Sequence, residues 1–183
     1  MAITFTFRPK NLSALTARFS HQLRRLAILS DRVARGLHLI TGKKAKGDQL
    51  VSVLGEAAVA ALTGGKVLPG EDTETDVVVG KTRISVKTRR GNGKGWTQTS
   101  PISANHPGTV DYLAFVHLND SYAVNKIWLF PWKRLLKDGR IRPKKVRGTS
   151  RGFLFHLSPK RDASFLVFNN SRSRVAIAIG GGR

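Results

Sequence analysis

Residues 71–90 read EDTETDVVVGKTRISVKTRR, and this stretch predicts its own geometry. Two runs rich in β-branched residues flank Gly80-Lys81. A glycine at the first position of a two-residue loop favours a type II′ hairpin turn. The turn sets a register that pairs Val79 with Thr82, Val78 with Arg83 and Val77 with Ile84. We therefore expect a β-hairpin at this point of the chain.

The predicted register sorts the hairpin side chains onto two faces, because side chains alternate along a strand. The face expected to meet the core is apolar and carries Val77, Val79, Ile84 and Val86. The opposite face gathers two carboxylates, a hydroxyl and an ammonium, from Glu74, Asp76, Ser85 and Lys87. A cross-strand Glu74–Lys87 salt bridge on a solvated face is the simpler interpretation. A catalytic or metal site is the alternative.

The hairpin ends an acidic segment of a very basic chain. The 183 residues include 32 Lys and Arg and 11 Asp and Glu, a formal net charge of +21. Residues 51–80 hold five of those acids and one basic residue, a local net charge of −4. Lysines and arginines that neutralise phosphates release counterions, so the overall charge predicts a nucleic-acid partner. An acidic island within such a chain indicates a metal or catalytic site.

Composition narrows the remaining classes. The chain has no cysteine, which excludes disulfides and thiolate zinc sites and favours an intracellular protein. It contains no run of 18 apolar residues and no signal-peptide pattern, so no membrane partner is expected. We expect a cytoplasmic, nucleoid-associated protein, or one encoded by a phage or mobile element that acts in the host cytoplasm.

A long helix is predicted from Asn11 to about Ile40. Apolar residues recur there at spacings of three and four, with arginines on the other faces. The helix is interpreted as a cover for the core, a dimer seam or a DNA-gripping arm. The predicted organisation is a helical arm, residues 1–47, followed by an α/β domain, residues 48–183.

A second helix is predicted over residues 49–63, capped by Asp48 and ended by Gly64-Gly65. Glu56 is the only charged residue in VSVLGEAAVAALTGG. Glu56 either lies on an exposed stripe of this helix or points into packed surroundings, where an unpaired carboxylate is costly.

The rest of the chain predicts further strands. Residues 111–118 are almost continuously apolar, as in a central strand buried on both faces. Residues 126–130 predict another strand, followed by a short helix that begins at Pro131. Residues 153–157 and 165–168 are expected to form a closing hairpin. The fold class is α/β, with a mixed central sheet of about five strands flanked by helices.

Two segments favour contacts with nucleic acid. The glycine-rich loop 91–108 follows the hairpin, and residues 140–151 are basic at six of twelve positions; each could equally be plain solvated loop. The candidate DNA contacts in and near these segments are Arg89, Arg90, Lys94, Trp96, Arg140, Arg142, Lys144, Lys145 and Arg147. The five histidines show no ligand spacing and are interpreted as structural or surface residues, and Trp128 as a core residue.

The helix, the hairpin and the apolar strand together resemble the PD-(D/E)XK nuclease superfamily, whose members share a restriction-endonuclease-like core. The resemblance covers about residues 48–130 and rests on Glu56, Asp76 and the ISVK run that ends in Lys87. It implies that Asp76 and Glu56 bind Mg²⁺, or Mn²⁺ in its place, and that Lys87 positions or activates the attacking water. Ser85 stands where the family usually has the second acid, and Glu56 or Glu74 is the replacement.

The resemblance implies a metal-dependent DNA endonuclease that cleaves duplex or branched DNA, with Asp76, Lys87, Glu56 and Ser85 at its catalytic site. The alternative is a non-catalytic, basic nucleic-acid-binding or assembly protein on a degenerate nuclease fold. Cutting both strands usually needs two active sites, so we expect a homodimer or higher homo-oligomer. No small-molecule cofactor is expected.

Overall fold

The computed structural model of the chain describes residues 7–12, 22, 25–26, 28–29, 32, 48–68, 75–92, 95–99, 102–103, 110–145 and 151–170. Its elements in chain order are α1 (Asp48–Thr63), β1 (Lys66–Val67), β2 (Val77–Val79), β3 (Thr82–Arg90), β4 (Ile102–Ser103), β5 (Tyr112–Leu118), β6 (Val124–Pro131), α2 (Trp132–Lys137), β7 (Ile141–Lys145), β8 (Arg151–Phe155), a 3₁₀ turn (Ala163–Phe165) and β9 (Leu166–Asn169).

A mixed six-stranded sheet forms the centre of the fold, with strand order β1-β2-β3-β5-β6-β9. Strands β3 and β5 are parallel, and the other neighbours are antiparallel. The α/β class with a mixed sheet flanked by helices is therefore confirmed, with one strand more than expected. Strand β5 has a neighbour on each side and is buried from Leu113 to Leu118, as its apolar sequence predicted.

The hairpin register is confirmed pair by pair, from Val79 with Thr82 to Val77 with Ile84. Gly80 has a φ of +59°, whereas the φ of Lys81 is not positive. A positive φ at the first loop position alone is the type II′ geometry, in which the missing Cβ of glycine avoids a steric penalty. The local turn chemistry thus sets the alignment of β2 and β3.

Two apolar cores cover the two faces of the sheet. Helix α1 packs on one face, against Val77, Ile84 and Val86 of the hairpin. On the other face, α2 and a second sheet of order β4-β8-β7 pack against Phe115 and Trp128. The hairpin face expected to be solvated is therefore partly covered, because this second core extends over the large sheet.

The predicted closing hairpin is wrong. Strand β8 pairs with β4 and β7 in the small sheet, whereas β9 pairs with β6 at the edge of the large sheet. Much of the basic segment 140–151 is likewise strand rather than loop, because residues 141–145 form β7. Alternating apolar residues predicted the strands but carried no information about which partners they choose.

A buried ion pair ties the small sheet to the turn before β9. The carboxylate of Asp162 is fully buried and accepts hydrogen bonds from both terminal nitrogens of Arg140 and from the Ser158 amide. The Arg140 guanidinium also lies over the rings of Phe130 and Phe155. Removing one member of such a pair leaves an uncompensated buried charge, so the pair fixes this corner of the fold.

The predicted arm lies largely outside the described residues. Those that are described between residues 9 and 32 are helical, and Leu12 is buried in the core beneath α1. The Arg8 amide donates to the Leu62 carbonyl at 2.7 Å, which anchors this segment to the end of α1. None of the helices that the structure describes is long and apolar enough to span a membrane.

Helix α1 approaches β3 closely at Gly55. A Cβ added at Gly55 would lie 2.9 Å from the Thr88 Cβ and would overlap the Thr88 hydroxyl. Only glycine permits this approach, because any other side chain has to push the helix away from the strand. Glu56, the next residue, is thereby held near β3.

We predict that Gly55→Ala destabilises the protein by about 1–3 kcal/mol, the usual cost of overpacking. An alanine in an uncrowded helix would instead add about 0.5–1 kcal/mol of stability. Urea unfolding gives the sign directly. Ser52→Ala, at an exposed position of the same helix, is the control and should stay within about 0.5 kcal/mol of the wild type.

The cost should fall when Gly55→Ala is combined with Thr88→Ala, which removes the overlapping hydroxyl. Equal costs in the two backgrounds, or a stabilising Gly55→Ala, would contradict the close approach.

Candidate active site

The candidate site lies where β2 stops pairing with β3. The last paired residues are Val77 and Ile84, and beyond them no described strand covers this side of β3. We call this side, along residues 85–90, the open edge of β3. The Val86 amide at this edge donates to Asp76 Oδ2 at 2.5 Å. A side-chain carboxylate thus takes the place of a strand carbonyl.

Ser85 and the Val86 amide together hold the Asp76 carboxylate. The buried Ser85 hydroxyl donates to the same Oδ2 atom at 3.3 Å. The other oxygen, Oδ1, accepts no hydrogen bond from any described residue. One carboxylate oxygen is therefore fixed by the fold, and the other is left to bind something else. Ser85 acts here by orienting Asp76.

Burial raises the pKa of Asp76 above its ordinary value. The Val86 amide, the Lys87 ammonium and the Ser85 hydroxyl act in the opposite direction, because each favours the ionised carboxylate, but burial is the largest cause. The ionised form of Asp76 is thus held in surroundings that stabilise it less well than water does.

Glu56 belongs electrostatically to the same site. Burial raises the pKa of Glu56, the negative charge of Asp76 raises it further, and the positive charge of Lys87 lowers it. Helix α1 and strand β3 therefore bring Glu56, Asp76 and Lys87 within electrostatic reach of one another. Lys87 is half-buried and makes no hydrogen bond or ion pair with the described residues. Glu74, its partner in the predicted salt bridge, lies outside the described residues.

The two carboxylates fit a small, hard cation. Mg²⁺ takes oxygen ligands and is often held by one or two carboxylates together with water and substrate phosphate. Asp76 Oδ1 and the Glu56 carboxylate are oxygen donors of this chemical type, and a cation between them would offset their mutual repulsion. Within the described part of the chain, no group of three or more potential ligand residues occurs. Glu74, the other candidate acid, lies outside the described residues.

The chain matches no protein-family model and no curated protein sequence. The resemblance to the PD-(D/E)XK nucleases stays an expectation from the sequence.

The predicted DNA contacts divide into three groups. Arg89 and Arg90 follow the candidate site on β3; Arg89 Nε donates to the Gln98 carbonyl at 2.6 Å, and the Arg90 guanidinium lies 4.3 Å from the centre of the Tyr122 ring. The Arg140 guanidinium is bound to buried Asp162, and its contact with DNA stays a prediction. Five further positions stay predictions. Arg142, Lys144 and Lys145 lie on β7, but the structure does not describe their side chains. Lys94 and Arg147 lie outside the described residues.

Trp96 and His117 form a stacked pair that sequence reasoning missed. Trp96 was a candidate for stacking on a base, but its ring stacks on the His117 ring at 4.2 Å and packs beside the second core. His117 Nε2 lies 3.0 Å from the Gly91 carbonyl, and Nδ1 lies 3.2 Å from the Asn125 amide nitrogen. Burial lowers the pKa of His117, so the neutral ring donates to Gly91 and accepts from Asn125. The pair anchors the loop after β3.

We predict that Asp76→Asn raises stability at neutral pH in the presence of EDTA. Because the folded pKa of Asp76 is raised, its protonated form contributes stability below the unfolded pKa. That contribution is lost as the pH rises through the folded pKa. Asparagine has no charge to bury and keeps an oxygen for the Val86 amide. The gain should therefore shrink as the pH falls towards 4, measured by urea unfolding from pH 8 to pH 4.

Asp120→Asn, which removes an exposed carboxylate, is the control for the change in net charge. A loss of stability in Asp76→Asn at neutral pH, or a difference from the wild type that does not change with pH, would contradict the burial of an ionised Asp76.

Proposed function

We propose that this protein is a Mg²⁺-dependent endodeoxyribonuclease of the PD-(D/E)XK type, which hydrolyses phosphodiester bonds in duplex or branched DNA. The observation that carries the proposal is the convergence of two carboxylates with raised pKa values, Glu56 and Asp76, with Lys87 at the open edge of β3. The order of helix, antiparallel hairpin and parallel β5 supports a restriction-endonuclease-like core around this site.

The charge of the chain supports nucleic acid as the substrate. Two acids with raised pKa values are an unusual feature in a protein of net charge +21. They would repel a phosphodiester unless a cation lay between them and the substrate. The surrounding excess of lysine and arginine attracts the rest of the polyanion.

Each residue of the site has a distinct part in the proposed reaction. Asp76 Oδ1 and Glu56 would hold the cation, and the Ser85 hydroxyl with the Val86 amide keeps Asp76 in place. When bound, Mg²⁺ supplies a more acidic water and stabilises charge on the reacting phosphate. The Lys87 ammonium donates hydrogen bonds to the attacking water or to a phosphate oxygen, and offsets the negative charge that develops there.

Cleavage of both strands requires two such sites, and we infer that the active form is a homodimer or higher homo-oligomer. Exposed apolar side chains at Leu26, Ile28 and Leu29 favour the N-terminal helix as the contact. Leu12 is excluded from such a seam, because it is buried within the core of its own chain.

A second candidate function is a non-catalytic nucleic-acid-binding or assembly protein that keeps the nuclease fold. Ser85 favours it, since a hydroxyl replaces the second acid of the family pattern and is engaged with Asp76. The two candidates differ in cation binding. The nuclease needs Mg²⁺ or Mn²⁺ at Asp76, and the binding protein does not.

We predict that purified protein nicks supercoiled plasmid or cleaves four-way junctions with Mg²⁺ or Mn²⁺ and not with EDTA. Lys87→Ala should reduce the single-turnover rate by about 100-fold or more, as expected when a group that stabilises transition-state charge is lost. DNA binding in EDTA should change far less, since Lys87 is one cation of 32.

Lys133→Ala is the matched control, because Lys133 is an exposed lysine on α2 and should leave the rate unchanged. Equal rates in the wild type and Lys87→Ala would indicate a contaminating nuclease. No cleavage of any of these DNAs, together with intact DNA binding and no response to Mg²⁺, would select the non-catalytic candidate.

A further inference from the structure

A cavity that none of the candidate catalytic residues lines lies at the end of α2, where the small sheet meets the loop after β3. Its volume is about 430 Å³, within the range typical of ligand sites. Polar side chains surround much of it, and the lining residues that matter here are Gln98, Asp138, Arg140, His156 and Arg161.

The charges around the cavity leave a positive excess. Asp138 is paired with Arg134 at 2.8 Å, and Asp162 with Arg140. The Arg161 guanidinium lies 3.9 Å from Asp162, a carboxylate that Arg140 and the Ser158 amide already occupy. Arg161 is 65% exposed and has no other acidic partner in the described part of the chain. Its charge is therefore free to attract an anion.

Donors on the lining point to the same class of ligand. The Gln98 amide and the Arg161 guanidinium both belong to residues that line the cavity. Arg140 also lines it, but its Nε–H is enclosed by the protein and its terminal nitrogens are bound to Asp162, so it offers no free donor. Among the described residues, His156 Nε2 has one hydrogen-bond partner, the Thr97 hydroxyl. In the tautomer whose Nε2 accepts from this hydroxyl, Nδ1 carries the proton and can donate to a ligand. The cavity thus offers donors to an oxygen-rich anion.

A chain of residue contacts along β3 links the candidate active site to the cavity. Arg89 follows Lys87 by two residues, so both side chains leave the strand on the same face, about 7 Å apart. Arg89 Nε holds the Gln98 carbonyl, and Gln98 pairs with His156 at the rim of the cavity. A DNA strand that occupies the candidate site can extend in this direction.

We propose that the cavity is a phosphate subsite that holds a backbone phosphate of the DNA at a distance from the bond that is cleaved. Arg161 supplies the charge, and Gln98 and His156 provide donors beside it. The assignment to DNA rests on the proposed function, whereas the preference for a phosphate group rests on the lining alone.

The test measures binding of a fluorescent 20-base-pair duplex in EDTA over a range of KCl concentrations. Arg161→Gln should bind about tenfold more weakly than the wild type and lower the salt slope by about 1, as loss of one phosphate contact does. Lys160→Gln removes the same charge one residue away, outside the cavity lining, and should weaken binding less than twofold.

Wild-type affinity in Arg161→Gln, or equal losses in the two variants, would overturn the subsite. A second arm titrates inorganic phosphate and a mononucleotide while the His156 imidazole resonance is followed by NMR. Weak, millimolar binding that the duplex displaces supports a backbone subsite. Micromolar binding of the mononucleotide that the duplex does not displace would overturn the backbone assignment in favour of a free nucleotide.

The outcome is separable from that of the nuclease proposal, because the binding measurement contains no metal and involves no cleavage. Normal Mg²⁺-dependent cleavage with unchanged binding by Arg161→Gln would remove the subsite and leave the nuclease. Loss of duplex binding in Arg161→Gln, in a protein that never cleaves, would keep the subsite and remove the nuclease.

Discussion

The hydrogen bond from the Val86 amide to the Asp76 carboxylate is the interaction on which the site depends. Strand β2 ends its pairing with β3 at Ile84, and the next available amide is bound by a side chain rather than by a strand. The buried Val86 amide needs a hydrogen-bond acceptor, and the Asp76 carboxylate provides one. The same bond fixes one oxygen of Asp76, whereas Oδ1 accepts no hydrogen bond from any described residue.

The buried surroundings of this bond give the site its electrostatic character. Cores on both faces of the sheet surround the strands with apolar side chains, and Asp76 and Ser85 lie where the pairing of β2 with β3 ends. Ser85 is buried next to Asp76, and Glu56 is brought in by the close contact of Gly55 with Thr88. Burial makes the ionised carboxylates of Glu56 and Asp76 less stable, so both pKa values are raised. Binding of a proton or a cation is favoured for the same reason.

Local chemistry made part of this arrangement predictable from sequence. Gly80-Lys81 between β-branched runs determined the hairpin register, and the register alone placed Asp76 beside Ser85. Glycines at residues 64 and 65 ended α1 as expected. The glycine at position 55, inside a helical pattern and next to Glu56, was an available signal for close packing that was not used.

Long-range pairing was not predictable in the same way. The choice of β8 to pair with β7, and of β9 to pair with β6, depends on contacts between distant segments that periodicity does not encode. Arg140 shows the consequence for the site. It belongs to a basic segment that predicts phosphate contacts, yet its guanidinium forms an ion pair with Asp162, 22 residues later in the chain. The sequence pattern showed the charge but not its partner.

The most direct measurement of the central claim is the anomalous scattering of Mn²⁺ in crystals of the protein. We expect a peak about 2.1 Å from Asp76 Oδ1, the distance typical of Mg²⁺ coordination, with Glu56 bound to the ion directly or through one water. Crystals of Asp76→Asn should lack this peak. The account would be contradicted if the wild type showed no peak at Asp76. It would also be contradicted if Asp76 Oδ1 accepted a hydrogen bond from another group and Glu56 pointed away from it.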